Sequence, residues 1–233
     1  MSIKWELFYK QFVTYKGYET VLQGLLTTVE IAVLGLIIGI VIGILIAITK
    51  VLPQYKLAAK ILSKTSDVYV GFFRGTPMVV QLLIGYYVLM PALGIVADAT
   101  AVAIIIFGLN SGAYVSEIMR GGILSVDPGQ MEAARALGLG YAKSMGKVVI
   151  PQAVKNILPT LGNEFIVLIK ETSVVSFIAV VDLTKAFRSI ADANYEYIIP
   201  YLLLAAVYLV LVILITVGIK LLERRLSVSD KRR

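Results

Sequence analysis

Apolar stretches long enough to cross a bilayer alternate with short charged segments along this chain. A spanning helix needs about 20 mostly apolar residues, because each adds about 1.5 Å across a hydrocarbon layer of about 30 Å. Residues 31–48 hold no charge, and the stretch extends over 21–49 with Glu30 as its one acidic residue. Residues 68–90 form a second span, interrupted by Arg74 and Pro77. Residues 99–116 form a third, carrying Asn110 and Ser111. Residues 157–169 make a fourth, which holds Asn163 and Glu164 and runs into Lys170 and Glu171. Residues 198–219 make the fifth and carry no charge. The pattern predicts an all-α integral membrane protein with five transmembrane helices, organised as one domain over residues 1–233. The first span lies behind a segment of mixed charge, so it is expected to stay in place rather than be cleaved as a signal peptide. In that leading segment Trp5, Phe8, Tyr9 and Phe12 interleave with Glu6 and Lys10, the pattern of a helix lying along the outer interface.

Composition agrees with this reading. The chain is 58% hydrophobic and 16% charged with a mean hydropathy of +0.86, whereas a soluble chain is about 45–50% apolar and about 25% charged. Its net charge of +7 would suit a nucleic-acid binder, but the cations cluster between spans, where they set orientation. Lys50, Lys56, Lys60 and Lys64 follow the first span, and Arg120, Arg135, Lys143, Lys147 and Lys155 follow the third. Lys220, Arg224, Arg225, Lys231, Arg232 and Arg233 end the chain. That is fifteen on one side against five on the other, where Lys4, Lys10, Lys16, Lys185 and Arg188 lie. The N-terminus is therefore expected outside and the C-terminus in the cytoplasm. There is no cysteine and no histidine, which removes disulfides, thiolate metal sites and the commonest general base.

The cytoplasmic loop between the third and fourth spans carries the end signals of a short helix. Asp127 suits the N-cap, Pro128 the first helical position, Gln130 the capping-box partner and Gly138 the residue past the end. Within it, Glu132-Ala133-Ala134, then Gly138, then Val148-Val149-Ile150-Pro151 resembles the EAA loop of ATP-binding-cassette (ABC) importer permeases. The Glu, both alanines, the glycine and the proline fall at that motif's spacing, while Val148 and Ile150 stand for its Ile and Leu. Further stretches resemble the polar-amino-acid branch of those permeases: Gly24-Leu25-Leu26-Thr27-Thr28, Phe73-Arg74-Gly75-Thr76-Pro77 with Gln81, Gly112-Ala113-Tyr114 with Glu117 and Arg120-Gly121-Gly122, and Gly162-Asn163-Glu164-Phe165. Together they cover roughly residues 20–226.

The resemblance implies a type I ABC importer permease whose cytoplasmic helix, about 128–138, docks in a groove of the ATPase. Gln130, Glu132, Ala133, Ala134, Arg135, Leu137 and Gly138 would form that coupling surface. It also implies a second permease chain, identical or not, a cytoplasmic ABC ATPase dimer holding ATP and magnesium, and an extracytoplasmic substrate-binding protein. The chain itself shows no ATP site. Gly138-Leu-Gly140 meets Lys143 where a dinucleotide fingerprint needs a third glycine, and Gly146-Lys147 has Tyr141 and Val148 at the other defining P-loop positions. No cofactor, no metal and no catalytic residue is expected.

Polar groups at membrane depth are costly and are functional candidates by default. The candidate substrate ligands are Glu30, Gln81, Asn110, Asn163, Glu164, Thr172 and Ser173. For Gln81 and Asn110 a helix–helix hydrogen bond is an equal alternative. Arg74 and Lys170 are the cations near those acids, and Arg74, opening the Gly-Thr-Pro kink, is expected to clamp carbonyls freed there. Gly35, Gly39 and Gly43 read as small-residue helix packing. Three carboxylates, Glu30, Glu164 and Glu171, suit a basic amino-acid side chain, whereas Lys170 cancelling one of them would favour glutamine or glutamate. An ion-coupled secondary transporter would need inverted repeats with paired broken helices, and an intramembrane hydrolase a Ser–His or Asp pair at depth. The sequence shows neither.

Overall fold

The computed structural model describes residues 2–51 and 57–230. Lys56, Lys231, Arg232 and Arg233, counted above for orientation, lie outside the described residues. The described chain is helical with no strand. A short helix α1 (Ser2–Tyr9) continues through a π-turn over Lys10–Thr14 and leads into α2 (Gly17–Val51). Next come α3 (Leu57–Gly75) and α4 (Met78–Ile84), the latter extended by a wide turn to α5 (Met90–Ala92). The long α6 (Ala99–Leu124) precedes three further elements: α7 (Pro128–Ala136), α8 (Tyr141–Ser144) and the start of α9 (Ile150–Glu171). A 3₁₀ segment, α10 (Leu183–Asn194) and α11 (Ile198–Asp230) complete the chain.

The centre of the bundle is the pairing of α2 with α6, and small residues on both helices make it close. A Cβ on Gly39 would lie 2.7 Å from the Ser111 side chain, and one on Gly43 would lie 2.5 Å from Val115. From the other side, Cβ atoms on Gly108 and Gly112 would come within 2.5 and 2.6 Å of Ile38 and Ile42. Close backbone approach of this kind replaces the hydrophobic driving force that lipid removes. Around it Ile31, Leu82, Phe107, Leu168, Ile169 and Val175 form the main core. The opposite face of α2, with Leu34, Ile37, Val41 and Leu45, stays exposed, as suits a surface against lipid.

Two span expectations change. Residues 68–90 are not one continuous helix: α3 and α4 meet at a bend of 107°, the geometry of a broken span or a re-entrant pair. The break falls at Gly75-Thr76-Pro77, where Pro77 lacks an amide hydrogen and turns extended (φ −64°, ψ 140°). By length and apolarity three helices qualify as spans (Gly17–Lys50, Ala99–Leu124, Ile198–Arg224), and the bent pair brings the number to four. The fourth expected span lies in α9, which is 22 residues long but carries Lys155, Glu164, Lys170 and Glu171. It packs against α6, α2 and α11.

Between α9 and α11, α10 is a helix that the span pattern does not predict. Asp182 caps it, accepting from the Thr184 and Lys185 amides at 2.9 Å each. It docks on the start of α2, where Thr28 Oγ1 accepts from the Leu183 amide at 3.2 Å and Gly24 sits against the Asp182 carbonyl. Helix α1 packs Phe8 against Ile190 and Ile199 and ties Lys4 to Glu196 at 2.9 Å.

Candidate functional site

Three helices bring one carboxylate to the middle of the bundle. Glu164 on α9 is 8% exposed, and Ser111 Oγ on α6 donates to its Oε1 at 2.9 Å. Ser111 is held there by Gly39 of α2, whose missing side chain leaves the room the hydroxyl occupies. Arg74 does not reach Glu164. Its guanidinium pairs with Glu117 at 3.6 Å and lies 5.4 Å over the Tyr114 ring, while Arg120 holds the same Glu117 at 2.8 Å. The carboxylate is thus met by a neutral hydroxyl, and no ion pair involves it among the described residues.

The next polar pair has a different task. Gln81 Nε2 donates to the Phe73 carbonyl at 2.8 Å and to the Thr76 carbonyl and hydroxyl at 2.9 and 2.8 Å. Asn110 Nδ2 donates to Gln81 Oε1 at 2.9 Å and to the Phe73 carbonyl at 3.3 Å. Both side chains are 4% exposed. They satisfy the carbonyls freed by the broken helix, the role expected of Arg74, which turns to Glu117 instead. A neutral amide supplies donors without the desolvation cost of a guanidinium.

The other candidates scatter. Glu30 is exposed on α2, whereas Ile31, Ala32, Gly35 and Gly39 turn inward. Asn163 is exposed on α9 beside the buried Glu164. Thr172 is fully buried and spends its hydroxyl on the Ile169 carbonyl at 2.7 Å, and Ser173 is half-buried. Ser111 was not among the candidate ligands. Its signal was its position next to Asn110, on the small-residue face of an otherwise apolar span.

Between α6 and α9, α7 is built as its end signals predict, with one change. Asp127 accepts from the Gly129 amide at 2.8 Å, but Gln130 accepts from Gln152 at 3.2 Å rather than closing a capping box. At the other end Gly138 adopts φ +84°. Its amide donates to the Arg135 carbonyl at 2.9 Å, and the Leu139 amide to the Ala134 carbonyl at 3.2 Å, the paired bonds of a Schellman ending. Helix α7 packs on α8 and on the turn over residues 145–149; Ala134 is buried, while Glu132, Ala133 and Arg135 are exposed and Leu137 is 85% exposed. A short, rigid, doubly capped helix presents an unpartnered apolar and charged face.

Residues 39–228 match the family of binding-protein-dependent transport system inner membrane components. The chain belongs to this family. It is 43% identical over 165 residues to the arginine transport system permease protein ArtQ of Bacillus subtilis, covering 71% of this chain and 75% of that one. It is 40% identical over 209 residues to a putative glutamine transport system permease protein, GlnP, of Rickettsia bellii, covering 90% and 94%. A solved amino-acid ABC transporter structure with histidines superposes with a TM-score of 0.84 at 40% identity over 91% of this chain and 96% of that one. The protein is the permease of an amino-acid ABC importer, and the family description itself couples such a permease to a binding protein.

Proposed function

We propose that this permease carries basic amino acids into the cytoplasm past Glu164, working with a second permease chain, an ABC ATPase dimer that holds ATP and magnesium, and an external binding protein. The observation behind the substrate class is the buried Glu164 carboxylate, which has a hydroxyl but no cation against it. A cationic side chain meeting it in a dry site forms a charge-assisted hydrogen bond worth about 1.5–3 kcal/mol. The arginine named for the Bacillus subtilis relative is in keeping with this. Glutamine, named for the Rickettsia relative, is the rival. Its neutral amide would leave the carboxylate charge uncompensated.

The test is uptake by the whole reconstituted importer. Glu164→Gln should weaken arginine and lysine uptake about tenfold or more, since about 1.4 kcal/mol is a factor of ten, with basal ATP hydrolysis and thermal stability kept. Normal basic amino-acid uptake by a well-folded variant removes Glu164 from the path. The charge distribution supports an outside N-terminus and a cytoplasmic C-terminus. In a chain without cysteine, a single cysteine at position 185 should label from outside intact cells and one at 143 should not. Labelling at 143 reverses the orientation.

A further inference from the structure

We propose that the apolar cleft between α2, α6, α8 and α9 binds the acyl chains of an anionic phospholipid, with Lys143 and Lys147 at its headgroup. The cleft has a volume of about 740 Å³. Ile44, Met119, Met145, Ile150 and Leu158 are among its walls, and no charged side chain lines it. Its α9 wall runs from Ile150 to Leu161, a rise of about 16 Å, or about half of a hydrocarbon layer of about 30 Å. The cleft is therefore as long as one leaflet is deep, which is the reach of an acyl chain.

The two ends of the cleft differ. Its α2 and α6 walls lie toward the C-terminal ends of those helices, where Lys50 and Arg120 stand. At the α8 end Tyr141 lines it and is exposed, and an amphipathic ring of this kind suits headgroup depth. Lys143 and Lys147 directly follow the lining residues Ala142 and Gly146, and both are exposed. A lysine stem lies along apolar surface while its ammonium reaches water or a phosphate. The acids of this end are engaged elsewhere: Asp67 with Lys50, Glu117 with Arg74 and Arg120, and Asp127 with the Gly129 amide. Glu132 is exposed on α7, and among the described residues neither Lys143 nor Lys147 is in an ion pair. Two cations at one end of an apolar cleft repeat the order of an anionic lipid, phosphate and then hydrocarbon. Basic pockets between spanning helices select such headgroups. Gly146 shows the room available, since a Cβ there would meet no atom within 4 Å.

The experiment uses the assembled permease–ATPase complex in bilayers of equal parts phosphatidylcholine and phosphatidylglycerol, with brominated acyl chains on one lipid or the other as quenchers of tryptophan fluorescence. Trp5, the one tryptophan, is replaced by Phe, and Leu158→Trp sets a reporter on the cleft wall. Leu214→Trp, at an exposed position of α11, reports ordinary lipid. At position 158 phosphatidylglycerol should bind at least about fivefold tighter than phosphatidylcholine, the weight of one lysine near an anionic surface. At position 214 the two should quench alike. Replacing both lysines, Lys143→Gln with Lys147→Gln, should bring position 158 to the ratio seen at 214. Gly146→Phe, which fills the cleft, should lower quenching at 158 by either lipid and leave 214 unchanged. Equal quenching by the two lipids at 158 overturns the proposal, as does a preference that survives loss of both lysines. No quenching at 158 by either lipid means that protein, such as a second copy of the chain, covers the cleft, and overturns it too. If Leu158→Trp does not assemble, Ile48→Trp on the facing wall carries the same measurement.

Discussion

Asn110 on α6 holds Gln81 on α4 through a 2.9 Å bond from Nδ2 to Oε1, and Gln81 in turn holds the two carbonyls left open where α3 breaks. The 107° bend is therefore fixed by two neutral amides buried together. Gln81→Leu keeps the volume and removes every donor to Thr76. An unsatisfied buried acceptor costs about 1–3 kcal/mol, so a marked loss of thermal stability of the purified complex is expected. Asn110→Leu should cost less, because the Phe73 carbonyl retains its bond from Gln81. Thermal unfolding of both variants checks the order, and the reverse order would show that Gln81 is not the main clasp.

How far the chain was legible beforehand follows from the kind of signal each residue gives. Asp127 and Gly138 announce α7 because capping is local, and the Schellman bonds appear where the glycine falls. The two amides were visible as polar residues at depth, but their purpose was not, since it depends on a break four to six residues before Gln81 and on Asn110 reaching it from a neighbouring helix. Arg74 illustrates the same limit: next to the freed carbonyls in sequence, it is drawn to Glu117, forty-three positions on. Glu30 and Glu164 looked alike as lone acids in apolar spans. Which of them turns inward depends on the face α2 presents, and the small-residue series at Gly35, Gly39 and Gly43 had already marked that face. The helix α10 escaped notice because its apolar residues are too few for a span and need α2 to bury them.

Gly39 links the packing to the site. A Cβ there would lie 2.7 Å from both Ser111 side-chain atoms, so Gly39→Ala must push α2 from α6 or turn Ser111 away from Glu164. Overpacking of this kind costs about 1–3 kcal/mol. Gly39→Ala should lower stability and uptake together. Adding Ser111→Gly should recover stability by vacating the space, yet leave uptake low because the hydroxyl on Glu164 is gone. Recovery of both by the double variant would show that the hydroxyl has no part in transport.

The strap between Lys4 and Glu196 gives a pH signature. The Lys4 ammonium, bonded at 2.9 Å, holds the Glu196 carboxyl below its usual range, with help from the Ile198 amide. A carboxyl whose folded value is depressed adds stability that is present above its unfolded value, about 4.3, and is lost as pH falls through the folded value. The difference in melting temperature between the unaltered permease and Glu196→Gln should therefore be seen at neutral pH and close below about pH 4. Raising salt at pH 7 should also narrow it. A difference that grows on acidification would mean that Glu196 stabilises in its neutral form.

Coupling to an ATPase through α7, which the resemblance of residues 132–151 implies, is expected to depend on how that helix ends. Gly138 sits at φ +84° with open space around it, so a side chain there meets strain and no clash. Ordinary residues disfavour the left-handed region by about 1–2 kcal/mol, and asparagine tolerates it best after glycine. Gly138→Asn should therefore keep the Schellman turn, and Gly138→Val, β-branched and stiff, should unravel it and change the direction in which the exposed Leu137 and Glu132 face the partner. Substrate-stimulated ATP hydrolysis by the reconstituted importer should survive the first substitution and fall in the second, with both permeases inserting in the membrane normally. If the two variants couple equally well, a fixed helix end is not what transmits the stroke, and the exposed face of α7 must act through side chains alone.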